Sequence, residues 1–235
     1  MSPHIALITG ASSGIGREFA LHYARLGFHV CLVSRNLDDL QSVAREINDI
    51  GSTSQVVVAD LSNAHGVLQV LESCDAPDVV VANAGITRAG RAGTVSWDEL
   101  ERMSFLLGTG VAQLIEGVVP SMVRKGEGTI IVVSSIASLI DMPNSAVYAA
   151  SKSFVLSFSR GLRHELKNTG VSVTAVSPGS TDTNFANRAD VGPKALKTAE
   201  KVNMTPEAVA ATAVTALFNK KPEVITGFIN KLRAF

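Results

Sequence analysis

The sequence predicts an α/β fold, a doubly wound, mainly parallel sheet with helices on both faces, and three observations carry that prediction. Short Val- and Ile-rich runs alternate with longer segments of helical period. The runs are apolar at consecutive positions, as in a strand covered on both faces, instead of alternating apolar with polar. A glycine-rich turn joins the first run to the first helical segment, where such sheets bind ligands.

Taken in order, "HIALIT" (residues 4–9) predicts the first strand and "IGREFALHYARLG" (15–27) the first helix. "HVCLVS" (29–34) is the second strand. "LDDLQSVAREINDI" (37–50) is the next helix, with Asp38 and Asp39 in a first turn that favours carboxylates. "SQVVVA" (54–59), "DVVVAN" (78–83), "GTIIVVSS" (128–135) and "VSVTAVS" (171–177) supply further strands. One helix follows residue 97 and another spans residues 145–168. "TPEAVAATAVTALFNK" (205–220) is a late helix capped by Thr205, with Pro206 in its first turn, and "EVITG" (223–227) contains a last short strand. Right-handed crossovers would set the helices on both sides of the sheet.

Composition narrows the function. The 235 residues show no linker and no change of composition, so a single domain over 1–235 is expected. Lys plus Arg and Asp plus Glu number 21 each, leaving no field to hold nucleic acid or an anionic membrane, so the expected partner is a small molecule. Cys31 and Cys74 lie in apolar surroundings with no second thiol or histidine at ligand spacing, so neither a disulfide framework nor a metal site is expected. "MSPHIALITG" runs into a strand without a basic region, and no apolar run reads as membrane-spanning, which suggests a cytoplasmic protein.

The turn "TGASSGIG" (9–16) follows the first strand and opens a helix. Gly10, Gly14 and Gly16 let the backbone turn tightly and approach a ligand, while N–H groups around Ser12, Ser13 and Ile15 and the helix dipole favour a pyrophosphate. Glycines also close ordinary loops, so the position after the first strand is what gives this turn weight. The second strand ends at Ser34, Arg35 and Asn36, where an NAD site would offer an acidic residue about 20 residues beyond the glycines. Arg35 there suits a 2′-phosphate, which points to NADP; the alternative is a solvated loop charge. Arg17 is either a second phosphate contact or a surface residue.

With "TGASSGIG", "NAG" (83–85), "YAASK" (148–152) and "SPG" (177–179) in order at strand ends, the chain resembles the short-chain dehydrogenase/reductase family in its single-domain form, over nearly its whole length. The resemblance implies a Rossmann-like sheet with a dinucleotide cofactor: phosphates at the glycine turn, adenine at Asp60 and Leu61, adenosine ribose beside Asn83, Ala84 and Gly85, and nicotinamide facing Pro178, Gly179, Thr181 and Thr183. It also implies that Ser135 hydrogen-bonds the substrate oxygen, that Tyr148 is the acid or base, and that Lys152 holds the nicotinamide ribose. Ser134 rivals Ser135, because adjacent strand residues point to opposite faces and only one can reach the site.

Tyr148 and Lys152 lie one helical turn apart on one face. A free phenol ionises near pH 10, so useful chemistry requires the ammonium group, the helix N-terminus and an oxidised nicotinamide to prevail over desolvation. One departure is Leu107, which occupies a position where many relatives carry an asparagine of the proton relay. Ser104, Thr109 and Gln113 are the nearest polar substitutes, and the departure leaves open a non-catalytic NADP(H)-binding sensor. Residues 184–205 are expected to form a lid, residues 86–96 with Arg88 and Arg91 the opposite wall, and Trp97 to pack at the start of its helix. The resemblance implies a homodimer, through the helices following residues 97 and 145, or a homotetramer. The expected activity is interconversion of a secondary alcohol and a ketone, or reduction of a related carbonyl.

Overall fold

The computed structural model describes residues 4–182, 203–219 and 221–227. Seven strands form one parallel sheet: β1 (Ile5–Thr9), β2 (His29–Ser34), β3 (Ser54–Val58), β4 (Val79–Ala82), β5 (Gly128–Val133), β6 (Val171–Ser177) and β7 (Glu223–Ile225). Their order is β3-β2-β1-β4-β5-β6-β7, so the chain winds outward in both directions from β1. This is the Rossmann-like doubly wound sheet expected from the sequence, and it opens a crevice beyond the carboxyl ends of the adjacent strands β1 and β4, where the strand order reverses.

The helices are α1 (Gly14–Arg25), α2 (Leu37–Asp49), α3 (Ala64–Ser73), α4 (Trp97–Ser104), α5 (Gly110–Lys125), α6 (Ala146–Glu165) and α7 (Pro206–Phe218). Alternate strand residues point to opposite faces. Leu7, Cys31, Val80, Ile130 and Val132 therefore pack with Val70 of α3, Ile115 of α5 and Val155 of α6. Their neighbours Ala6, Ile8, Val30, Leu32, Val81 and Ile131 pack with Phe19 of α1, Ile47 of α2 and Ala213 of α7. Two apolar layers on one sheet explain why the strands read as unbroken apolar runs. Each fully buried Leu or Ile contributes roughly 1.5–3 kcal/mol over its exposed state.

Helix starts follow side-chain chemistry. Asn36 Oδ1 accepts from the N–H groups of Asp38 at 3.0 Å and Asp39 at 3.4 Å, Asn63 caps α3, and Ser96 with Glu99 forms a reciprocal capping box on α4.

Two expectations change. Between α4 and α5 the chain forms a π turn (Phe105–Thr109), in which Gly110 N–H donates to Phe105 C=O, so Trp97–Lys125 is one continuous helix. At 29 residues, with a window of mean hydropathy 1.4, it is long and apolar enough to cross a membrane, contrary to the sequence reading. Its apolar face, including Leu107, Leu114, Ile115, Val118 and Met122, is instead buried within the fold. Trp97, expected to pack, is 87% exposed, because the capping box fixes the helix start and leaves the first residue pointing outward. Cys31 and Cys74, far apart in sequence, are brought into one apolar cluster by β2 and the end of α3 as buried free thiols.

Candidate active site

At the carboxyl ends of the strands lies a cleft of about 810 Å³. Its floor is the turn after β1. Thr9 Oγ1 donates to Val81 C=O at 3.2 Å and accepts from the N–H groups of Asn83 at 2.9 Å and Ala84 at 3.0 Å. The Asn83 side-chain amide in turn donates to Thr9 C=O at 3.0 Å and Gly10 C=O at 3.4 Å. The Asn-Ala-Gly turn thus braces the glycine turn. Gly10 has φ 67° and Gly14 φ 56°, a left-handed region that glycine enters without strain. A Cβ on Gly10 would come within 2.8 Å of Asn83 Nδ2, and one on Gly16 within 2.2 Å of Gly10 C=O. Gly16 therefore seats α1 behind the turn and, contrary to expectation, is not part of the cleft wall.

The wall does include Gly10, Ser12, Ser13, Gly14 and Ile15. Ser13 is the N-cap of α1 but makes no side-chain cap bond, so no cap side chain takes up the first N–H groups of the helix. Uncapped donors, left-handed glycines and a positive helix end fit a dinucleotide pyrophosphate.

One end of the cleft is charged and open. Arg35, Asp39, Asp60 and Leu61 line it; between β2 and α2 stand only Arg35 and Asn36, with Ser34 Oγ accepting from Asn36 N–H at 3.2 Å and Asn36 capping α2, and Asp39 follows in the first turn of that helix. Asp60 Oδ1 accepts from Ser62 N–H at 3.1 Å, and Oδ2 accepts from Arg102 Nη2 at 2.8 Å. Burial pushes the Asp60 pKa up, but the Ser62 hydrogen bonds and the guanidinium charges of Arg102 and Arg35 outweigh it and hold the group below the usual carboxylate range. Arg17 faces elsewhere: Nε donates to Glu46 Oε1 at 3.2 Å and the guanidinium pairs with Glu18 and Glu46, joining α1 to α2.

The other end is enclosed. Ser135, Tyr148 and Lys152 meet there, beside Asn83, Ala84 and Gly85. Lys152 is 5% exposed and Nζ donates to Val133 C=O at 2.7 Å. Ser134 Oγ donates to Lys152 C=O at 2.9 Å, so the end of β5 grips both the head and the backbone of Lys152. Ser134 thereby turns toward α6, while Ser135 accepts from Ala137 N–H at 3.1 Å and hydrogen-bonds the Tyr148 side chain. Of the two serines, the structure brings Ser135 to the phenol. Tyr148 sits in the first turn of α6, after Asn144 at φ 64°.

Between the two side chains alone, burial works against a phenolate. Burial raises the Tyr148 pKa, and the Ser135 hydrogen bond offsets only part of that rise. Burial also lowers Lys152, to about 8. A desolvated ammonium that is easily lost cannot by itself force the phenol to ionise, so burial prevails between these two side chains.

Pro178, Gly179 and Thr181 close the cleft above, tied down by Ile136 N–H to Pro178 C=O at 2.9 Å and Thr181 Oγ1 to Gly179 C=O at 3.2 Å. Thr183 lies outside the described residues, as does most of the expected lid, while Met204 pairs with Thr181 in an isolated bridge. On the opposite wall Ile86 and Leu106 reach the cleft, whereas Arg88 pairs with Glu99 at 3.2 Å. Leu107 is fully buried in the π turn, and Ser104, Thr109 and Gln113 are exposed outside the cleft wall, so none replaces an amide there. Sequence reading missed Thr9 and Arg102, and weighed Ser134 as a rival of Ser135 without its bond to the Lys152 backbone. Thr9 lies inside a quoted motif and could have been read as a brace; Arg102 had no local signal.

The family profile described as short chain dehydrogenase matches residues 4–193. The chain belongs to the short-chain dehydrogenase family. An uncharacterized oxidoreductase of Myxococcus xanthus is 38% identical to this dehydrogenase over 183 residues, covering 76% of this chain and 72% of the relative. A short-chain dehydrogenase from Sphingobium yanoikuyae, solved in complex with NADPH, superposes with a TM-score of 0.89 at 28% identity, over 98% of this chain and 90% of that one. A family member from Burkholderia phymatum, solved with NAD, gives 0.88 at 23% identity, over 99% of this chain and 92% of that one, and shares the fold. This protein is therefore an oxidoreductase of a family in which some members have been solved with NADPH or NAD bound.

Proposed function

We propose that this dehydrogenase uses NADP(H) to interconvert a secondary alcohol and a ketone, or to reduce a related carbonyl, with Tyr148 as general acid or base. The observation that carries the reading is the meeting of Ser135, Tyr148 and Lys152 at the enclosed end of a cleft whose floor fits a pyrophosphate. The bound nicotinamide supplies or accepts a hydride. Ser135 Oγ donates to the substrate oxygen and orients it against the phenol. In reduction the Tyr148 O–H gives its proton to that oxygen; in oxidation the phenolate takes it back. Lys152 and the N-terminus of α6 provide the positive potential that phenolate requires, and the charge of the oxidised cofactor adds what two buried side chains lack.

The proposed cofactor contacts are those that membership of the family implies. Gly10, Ser12, Ser13, Gly14 and Ile15 take the phosphates, Asp60 and Leu61 the adenine, and Asn83, Ala84 and Gly85 the adenosine ribose. Lys152 takes the second ribose, and Pro178, Gly179 and Thr181, with Thr183, the nicotinamide. Arg35 beyond β2, without an acidic residue at that strand end, supports NADP over NAD.

The proposal treats residues 1–235 as one cytoplasmic domain that pairs through α5 and α6. Phe154 supports that pairing, being 44% exposed and stacked on Phe158 with ring centroids 6.5 Å apart. Light scattering distinguishes a homodimer from a homotetramer. The test of function is titration with NADPH and NADH followed by 340 nm absorbance against a carbonyl panel. Preference for NADPH and oxidation of it by a ketone are expected. Leu107 favours a second reading, a non-catalytic NADP(H) sensor, which binding without turnover on any carbonyl would support.

A further inference from the structure

We propose that Arg102 is a positioning residue: from α4 it fixes the Asp60 carboxylate so that it accepts a hydrogen bond from the amino group of adenine, giving the dehydrogenase its preference for adenine over hypoxanthine dinucleotides. The inference rests on the assignment of Asp60 to the adenine.

Asp60 stands where β3 ends, in the wall of the cleft. Its two oxygens are held by different parts of the molecule, Oδ1 by Ser62 N–H at 3.1 Å in its own loop and Oδ2 by Arg102 Nη2 at 2.8 Å, across 42 positions of sequence. A carboxylate held at one oxygen can still swing about its last torsion, whereas one held at both has its plane fixed. Each oxygen keeps a further lone pair for a donor from the cleft.

Arg102 is placed firmly enough for this work. It lies in the last turn of α4, whose first turn is closed by the Ser96–Glu99 capping box and tied to the neighbouring loop by Arg88 and Glu99. Its side chain is 52% exposed, and an ion pair that open contributes little to stability, so the contact is poorly explained as a structural brace. The chemical consequence is discrimination. The 6-amino group of adenine donates to a carboxylate, while the 6-oxo group of hypoxanthine presents an oxygen that a carboxylate repels. A fixed Asp60 therefore accepts one base and rejects the other.

The test is equilibrium affinity measured by calorimetry with the full chain, using NADPH and its hypoxanthine analogue, and NADH and its hypoxanthine analogue. Because both pairs share the base change, the result is independent of the 2′-phosphate assignment. Wild type should favour adenine by roughly tenfold or more, as expected for a hydrogen bond to a charged acceptor. Arg102→Met should reduce that ratio severalfold while leaving hypoxanthine affinity nearly unchanged, and Arg102→Lys should restore part of it. An equal loss for both bases, or a ratio that is unchanged or higher in Arg102→Met, overturns the proposal; a higher ratio would mean that Arg102 competes with adenine. Asp60→Ala separates the two claims. If it abolishes the ratio while Arg102→Met does not, only the role of Arg102 fails; if it leaves the ratio intact, the assignment of Asp60 fails as well.

Discussion

The two ends of the cleft use charge in opposite ways. At the β2–β3 end, Arg35, Asp60 and Arg102 are charged and solvent-reached, Arg102 pairs with Asp60 at 2.8 Å, and the Asp60 pKa falls. At the β5–α6 end, Lys152 is buried against a carbonyl and Tyr148 against a hydroxyl, and burial moves both pKa values toward the neutral forms. Exposed charges keep their ionisation and suit recognition of a fixed anion or donor. Buried groups have pKa values moved toward their neutral forms, which suits proton transfer. One cleft therefore separates holding a ligand from reacting with it.

The sharpest way to break this division is Tyr148→Phe. Loss of general acid-base catalysis costs about 10²–10⁴-fold in rate, with cofactor affinity retained because the open end is untouched. Single-turnover rates together with cofactor dissociation constants decide the matter, and unchanged turnover would remove the proposed mechanism.

Lys152 provides the next largest effect, and its sign is definite. Its folded pKa is about 8 against an ordinary value of 10.5. Between those values the unfolded chain holds a proton that the folded one has shed, so this group makes stability rise with pH across roughly 8 to 10.5. The gain is at most about 3 kcal/mol. Denaturation midpoints from pH 7 to 10 should rise in wild type relative to Lys152→Met. Parallel curves would mean that the ammonium is solvated and the enclosed end is not what the geometry suggests.

Arg35 tests the other end. Arg35→Ala should weaken NADPH about 10–100-fold and NADH little, as expected when a charged hydrogen-bonded pair to a phosphate is lost. Added salt should weaken wild-type NADPH binding more than NADH binding, because the contact is solvent-exposed. Tighter binding of NADH by wild type would refute the NADP assignment.

What the sequence revealed follows the same line. The glycine turn, the Asn-Ala-Gly turn and the Tyr148–Lys152 spacing were legible because each is a local pattern whose geometry is set within a few residues. The strands were legible because burial on both faces leaves an unbroken apolar run. Arg102 was invisible because its meeting with Asp60 depends on how α4 lies across the end of β3. The depressed pKa of Lys152 was equally hidden: spacing shows an ammonium near a phenol, while the depth at which both are buried belongs to the assembled fold. The π turn at Leu107 carries no proline, and Gly108 and Gly110 permit a wider turn without dictating one, so the segment reads as ordinary helix in sequence.

The smallest effect concerns the choice between neighbouring serines. Ser134 Oγ donates to a carbonyl of α6 at 2.9 Å, whereas Ser135 meets Tyr148. Ser134→Ala removes one buried hydrogen bond and should cost about 1 kcal/mol of stability. The turn carrying Lys152 loses one of its two ties to β5 but keeps the Nζ bond to Val133 C=O. The rate should therefore fall less than tenfold, an effect on positioning with KM for the carbonyl unchanged, while Ser135→Ala should approach the loss seen in Tyr148→Phe. Equal losses from the two serine variants would mean that Lys152 depends on its backbone tie as much as the substrate depends on Ser135. A larger loss from Ser134→Ala would place the wrong serine at the reacting oxygen.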